Sequence, residues 1–116
     1  MMPALLTAAI RKQLLANGRR TAQGEEIDPP PVVKLFMPDG PGTWLLTELD
    51  PADSTRAFGL CDPGLGSPEL GHVDLTELTA LRGRLRLPIE RDRHFIADRP
   101  LSTYAAEAQA TGRIVA

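Results

Sequence analysis

A chain of 116 residues, of which 42% are hydrophobic and 24% charged, has the length and balance of one folded domain. Its net charge of -2 gives no overall attraction to phosphate and disfavours sequence-independent DNA binding. The single cysteine, Cys61, has no partner for an internal disulfide, which fits a reducing cytosol. Residues 1–6 lack an export pattern, and no run approaches the ~20 apolar residues of a membrane span. We therefore expect a cytoplasmic protein that does not enter a membrane.

The first predicted element is a helix over residues 3–18. Its apolar residues recur at helical spacing, and Gly18 is typical of a helix end. Residues 19–31 combine charges, Gly24 and three consecutive prolines, so they cannot continue the helix. We expect a mobile loop that ends in stiff, extended chain.

Four strands are predicted next, over residues 32–37, 43–50, 57–62 and 69–74. The segments between them are short and rich in Pro, Gly and Asp, which is typical of turns. Parallel neighbours need crossovers of a dozen or more residues, so these strands should form an antiparallel meander.

Two more helices are predicted in the C-terminal part. Asp74 and Glu77 resemble a capping pattern for the first, and Ser102 caps the second, which ends near Ala110 before Gly112. Residues 82–87 alternate Arg with Gly or Leu, so they form either a frayed helix end or an edge strand, and 111–116 should be a frayed tail. The fold class is α+β: a four-stranded antiparallel sheet with an N-terminal and two C-terminal helices packed mainly on one face.

Six short segments together resemble one bacterial family, the domain of unknown function 2958. They are Lys34-Leu35-Phe36, Thr43-Trp44 with Glu48, Phe58-Gly59-Leu60, Glu69-Leu70-Gly71-His72-Val73, Leu75-Thr76-Glu77-Leu78 and Leu87-Pro88-Ile89-Glu90-Arg91-Asp92. The resemblance runs from about Leu5 to Phe95. It implies an origin in conjugative plasmids, integrative elements or phage-like islands, where small accessory proteins serve transfer or oppose host defence. It implies no established reaction, and His72 stands where the family carries an aromatic residue.

Carboxylates recur near the ends of the predicted strands: Glu48, Glu69, Glu90 and Asp92. Converging carboxylates hold Mg²⁺, Mn²⁺ or Ca²⁺, and a histidine such as His72 completes a softer site, so one hypothesis is a metal-dependent hydrolase or nuclease. The alternative is that Glu48, Asp50 and Glu69 form ion pairs with Lys34, Arg56 or Arg91 across the solvent face of the sheet. We favour the alternative because none of the established metal-binding spacings is present.

Two further features bear on binding. Trp44 shares one strand face with Leu46, while Leu45 and Leu49 occupy the other, so the tryptophan is either a core residue, which we favour, or an interface anchor. Arginines at 11, 19–20 and 82–86, together with Lys12, would form a basic patch for single-stranded nucleic acid if the first two helices pack side by side.

These observations favour a non-enzymatic binding protein over an enzyme, and they imply no cofactor. We expect an accessory protein of a mobile element that acts by contact with an unidentified protein partner; nucleic acid is the less favoured ligand. The candidate binding residues are Lys34, Trp44, Glu48, Glu69, His72, Glu90, Arg91 and Asp92.

Overall fold

The structure, a computed structural model, describes residues 5–116. In chain order its elements are α1 (Ala8–Ala22), β1 (Val33–Phe36), β2 (Thr43–Asp50), β3 (Asp53–Asp62), β4 (Glu69–Asp74), α2 (Leu75–Ala80), β5 (Glu90–Arg91) and α3 (Leu101–Thr111). The strands form one antiparallel sheet in the order β4-β3-β2-β1-β5. The predicted α+β class and the meander of the first four strands are therefore confirmed.

Helix α1 differs from its prediction at both ends. The predicted start at Pro3 lies outside the described residues; within them the helix begins after Thr7, whose hydroxyl accepts the Ile10 amide at 3.1 Å. The predicted end at Gly18 is wrong, because the helix continues to Ala22. Gly18 is needed for close packing instead: a Cβ placed there would lie 1.8 Å from the carbonyl oxygen of Leu49 in β2.

A β-bulge in β2 changes which side chains face α1. Thr47 is the extra residue between the pairs Leu46–Gly59 and Glu48–Phe58, and its carbonyl accepts Asn17 Nδ2 of α1 at 2.9 Å. The extra residue shifts the alternation by one position. Leu49 therefore packs on the same face as Trp44 and Leu46, not on the opposite face as predicted.

The sheet has five strands, and the prediction of four is wrong. Strand β5 is only two residues long and polar, so it gives no alternating pattern in the sequence. It pairs with β1 through Leu35–Arg91 and Phe36–Glu90 and closes the edge opposite β4.

Helices cover both faces of the sheet. Leu14 of α1 and Leu75 and Leu78 of α2 pack on one face with Trp44, Leu46 and Leu49. Helix α3 packs on the other face, where Leu101, Tyr104, Ala105 and Ala108 meet Leu45 and Leu60. The expected arrangement, mainly one-sided, thus misplaces α3. Among residues 5–116, no helix is long and apolar enough to cross a membrane.

The predicted loop at 19–31 is tied to α3. Asp28 accepts the backbone amide of Ser102 at 3.0 Å and also binds its hydroxyl, while the Pro29 carbonyl accepts the Leu101 amide at 3.1 Å. Ser102 is therefore the second residue of the helix and not its cap, because Asp28 supplies the capping oxygen from 74 residues away. Gly112 ends the helix as predicted, with φ 80°.

Candidate interaction surface

The four carboxylates singled out from the sequence do not converge. Glu69 begins β4 and Glu90 begins β5, which are the two edge strands of the sheet, whereas Glu48 lies in the central strand β2. No group of three His, Cys, Asp or Glu within residues 5–116 could hold a metal ion. The expected geometry of a carboxylate metal site is therefore not formed by these residues.

Lys34 and Asp92 are brought together at the β1 edge. Their side chains lie 3.6 Å apart, the Asp92 amide donates to the Lys34 carbonyl at 2.9 Å, and Lys34 Nζ donates to the Ala116 main-chain oxygen at 2.6 Å. Arg91 has a different role, since its Nη1 donates to the Leu5 carbonyl at 2.7 Å. Lys34 and Arg91 thus anchor chain segments to the sheet.

Two other predicted residues share a small cavity of about 160 Å³ at the C-terminal end of α1. Glu48 and His72 line it together with Asp50 and Arg56, and the His72 ring lies 5.1 Å from the ring of Phe58. The cavity therefore mixes both signs of charge and favours no one class of ligand.

The remaining candidate binding residue is part of the core. Trp44 is 4% exposed and packs beneath α1 and α2, which excludes it as a surface anchor in this state.

Burial raises the pKa of the Cys61 thiol to about 11, so at neutral pH this side chain is a protonated thiol and a poor nucleophile.

A different surface element stands out in the structure: the segment 81–88, which we call the arginine loop. Arg82 pairs with Pro88 in an antiparallel bridge, and the Arg86 amide donates to the Gly83 carbonyl at 3.0 Å. Arg84 and Leu85 form the tip of this turn, and Arg86, with a φ of 64°, follows it in the left-handed conformation. The segment is therefore a closed turn, neither the frayed helix end nor the edge strand that its alternation indicates.

Asp39, from the turn between β1 and β2, holds this loop in place. Its Oδ2 accepts the amide of Leu85 at 2.7 Å and that of Leu87 at 3.4 Å. Its carboxylate packs against the backbone of Gly83 so closely that a Cβ at position 83 would lie 1.8 Å from Asp39 Oδ1. A carboxylate that accepts backbone amides makes stronger hydrogen bonds than a neutral acceptor. The loop is thus fixed by a residue more than forty positions earlier in the chain.

The arginine loop exposes an unusual combination of side chains. Seven large hydrophobic residues are exposed in residues 5–116, and three of them are in this loop: Leu81 (37%), Leu85 (74%) and Leu87 (41%). Arg82 donates to the carbonyls of Thr79 and Leu81 at the end of α2. Arg84 and Arg86 are exposed and have no hydrogen bond or ion pair from their side chains within the described part of the chain. Leucines and unengaged guanidinium groups therefore face solvent together.

The sequence shows the residue types of this surface but not their arrangement in space. The alternation of arginine and leucine is visible in residues 82–87, but it does not show that the segment is a surface loop. Nothing in the sequence connects Asp39 with Leu85, because a side-chain to backbone hydrogen bond across 46 residues depends on the tertiary fold.

Comparison with known proteins adds a family but no activity. No curated protein and no solved structure matches the chain. The model of the family described as protein of unknown function (DUF2958) matches residues 5–115, and these residues contain every strand and helix of the fold. The chain belongs to this family of proteins of unknown function, DUF2958.

Proposed function

We propose that this chain is a non-enzymatic accessory protein that binds another protein through the arginine loop. The observation that carries the proposal is the concentration of exposed leucines and arginines on a loop whose backbone is held by Asp39. Exposed apolar groups that lie together mark interaction sites, and arginine is enriched in the centres of protein interfaces.

The chemistry of the loop indicates what it would bind. No Asp or Glu occurs between Glu77 and Glu90, so the loop is locally basic although the whole chain has a charge of -2. Charge complementarity therefore favours a partner surface with carboxylates around an apolar pocket that receives Leu85. Because Asp39 already orders the loop, little conformational entropy is lost when it binds.

The biological setting that we propose is a bacterial mobile genetic element, where such contact would assist transfer or oppose host defence. This part rests on the resemblance of the six sequence segments, and the fold is compatible with a binding role.

Site-specific photo-crosslinking tests the proposed contact. Benzoylphenylalanine replaces Leu85 in one version of the chain and Leu65, which is 84% exposed outside the loop, in the other. A protein that is crosslinked from position 85 and not from 65 would be purified, and its affinity for the unmodified chain measured by calorimetry.

The introduction of a negative charge at position 85 tests whether Leu85 is buried in the contact. Leu85→Asp should weaken the measured affinity by about tenfold or more, since it places a carboxylate in the apolar centre of the contact. The matched control, Leu65→Asp, should leave it unchanged. If the unmodified chain, Leu85→Asp and Leu65→Asp all bind with the same affinity, the arginine loop is rejected as the binding surface. The absence of a crosslink from position 85 would reject it as well.

One observation favours a second candidate, the binding of single-stranded nucleic acid. Arg11 of α1 and Thr79 of α2 line the same cavity, and Arg82 donates to the Thr79 carbonyl, so α1 brings Arg11 towards the arginine loop. Fluorescence anisotropy of a labelled dT oligonucleotide at low salt tests it. Binding that weakens steeply with salt and is weakened in Arg84→Gln but retained in the neutral variant Leu85→Ala would support this candidate over the protein partner.

A further inference from the structure

A cavity of about 540 Å³ lies between three turns on the sheet face that packs against α3, and we call it the glycine pocket. Its volume is in the range of small-molecule sites. None of its lining residues belongs to the arginine loop. They are Lys34, Phe36, Met37, Gly40, Pro41, Gly42, Thr43, Asp62, Gly64, Gly66, Gly112, Arg113 and Ile114.

Contacts between the turns form the walls of the glycine pocket. Gly64, with a φ of 92°, lies so close to Pro41 that a Cβ would be 2.3 Å from the proline Cγ, which joins the β3–β4 turn to the β1–β2 turn. The carbonyl oxygen of Gly66 approaches Gly112 at the end of α3, at 3.6 Å from a Cβ built there. Glycines at 40, 42 and 64 permit the close contacts with Met37, Trp44 and Pro41 that form these walls, and among the pocket glycines only at Gly66 is there open space within 4 Å of a Cβ position.

The pocket has positive charge that the protein does not fully use. Lys34 is 17% exposed at its side chain and has three N–H donors, yet its one hydrogen bond within residues 5–116 is to the Ala116 oxygen. The Asp92 carboxylate is 3.6 Å away, beyond a hydrogen bond. Arg113 is exposed and has no side-chain partner in the same residues. Arg113 is therefore available to an anion, and Lys34 has N–H donors left besides its contacts with Asp92 and Ala116.

The acidic residue that lines the pocket is held by backbone hydrogen bonds. Asp62 is buried, and its two oxygens accept the backbone amides of Gly64 at 2.9 Å and Ile114 at 3.0 Å. These hydrogen bonds direct the carboxylate into the turns that it holds together. Its charge is thus stabilised by the backbone.

The apolar part of the lining comes from Phe36 and Met37. Phe36 is half-buried and lines the cavity together with the glycine turns. Aromatic rings pair with other rings in offset or tilted stacks that contribute beyond simple burial.

We propose that the glycine pocket binds a small anionic ligand with a flat aromatic ring: the anion contacts Lys34 and Arg113, and the ring packs on Phe36 between the glycine turns. Charge-assisted hydrogen bonds give the pocket its preference for the anion, and ring stacking gives its preference for the flat group. The site uses neither the arginine loop nor a protein partner.

An NMR titration with adenosine monophosphate as the probe tests this site, because the probe combines an aromatic ring with a phosphate. It should shift the backbone amides of the pocket glycines, at 40, 42, 64, 66 and 112, while Gly18 and Gly24 outside the pocket remain in place. Adenosine, which lacks the anion, and ribose 5-phosphate, which lacks the ring, should each bind at least about tenfold more weakly.

Two substitutions and a control separate binding from folding. Arg113→Gln, at an exposed position, and Lys34→Met, which keeps the apolar stem, should each weaken binding by about tenfold, whereas Arg19→Gln on α1 should have no effect. No shift of the pocket glycines at about 10 mM probe, equal binding of adenosine, equal binding of ribose 5-phosphate, or unchanged binding by Arg113→Gln would overturn the proposal.

Discussion

The contact between Gly18 and β2 leads to a prediction whose sign is opposite to that of helix propensity. In an unobstructed helix, replacement of Gly by Ala stabilises the helix by about 0.8–1 kcal/mol. In this fold the new Cβ would lie 1.8 Å from the Leu49 carbonyl oxygen and 2.9 Å from its carbon, and both are backbone atoms that cannot rotate away.

The loss of stability in Gly18→Ala depends on how far helix α1 must move away from β2. Real Cβ atoms essentially never approach another heavy atom closer than 3.0 Å, so α1 would have to shift by about 1.2 Å relative to β2. That shift also strains the 2.9 Å hydrogen bond from Asn17 to the Thr47 carbonyl, which is buried. Overpacking costs about 1–3 kcal/mol and a weakened buried hydrogen bond about 1 kcal/mol more, so Gly18→Ala should destabilise the fold by about 1–3 kcal/mol after the propensity gain.

Urea unfolding followed by circular dichroism measures this change. Gly71→Ala is the matched control, because a Cβ at Gly71 meets no heavy atom within 4 Å and its φ is not positive. We expect its midpoint to stay near that of the parent chain and the midpoint of Gly18→Ala to fall. If Gly18→Ala is as stable as the parent or more stable, the close approach of α1 to β2 described above is incorrect.

Three further predictions concern single side chains. Asp39→Ala should speed hydrogen exchange at the Leu85 amide by about tenfold with no change in α1, because the loop loses its carboxylate acceptor; equal rates would contradict the anchoring role. Asp28→Ala should lower the free energy of unfolding by about 1 kcal/mol through loss of the α3 cap, whereas Glu26→Ala should not, and equal effects would argue against a specific cap. The folded pKa of the Cys61 thiol, about 11, exceeds the ordinary 9.0, so folding favours the protonated form and stability should fall as pH rises from about 9 to 11. In Cys61→Ser that part of the pH dependence should disappear, and a urea midpoint that is equally sensitive to pH in both proteins would refute it.

Much of the local structure was predictable from residues close in sequence. The turns rich in Pro and Gly separate β1 to β4, and Gly112 adopts the left-handed conformation that ends α3. These features depend on backbone preferences of one or a few residues, which act in any fold. The burial of Trp44 also followed the favoured interpretation.

The errors occurred where a distant contact overrides a local preference. Glycine commonly ends helices, but here the helix continues past Gly18 to Ala22, and the glycine is required because only glycine permits the close approach to β2. Strand β5 consists of two polar residues, and only its pairing with β1 makes it a strand. The bulge at Thr47 moved Leu49 to the other face of the sheet, which no period-two pattern anticipates.

The candidate surfaces also combine features that local sequence determines with features that only the tertiary structure determines. By itself the sequence determined the α+β class, the antiparallel order of β1 to β4 and the presence of an arginine-rich segment, because turn chemistry and residue spacing are local properties. Only the tertiary structure decided that Glu69 and Glu90 lie on opposite edges of the sheet with Glu48 between them, that Asp39 holds the arginine loop, and that distant glycine turns enclose a pocket beside Lys34. Each of these depends on which distant segments pack together, and that is set by burial of the two hydrophobic clusters on opposite faces of the sheet.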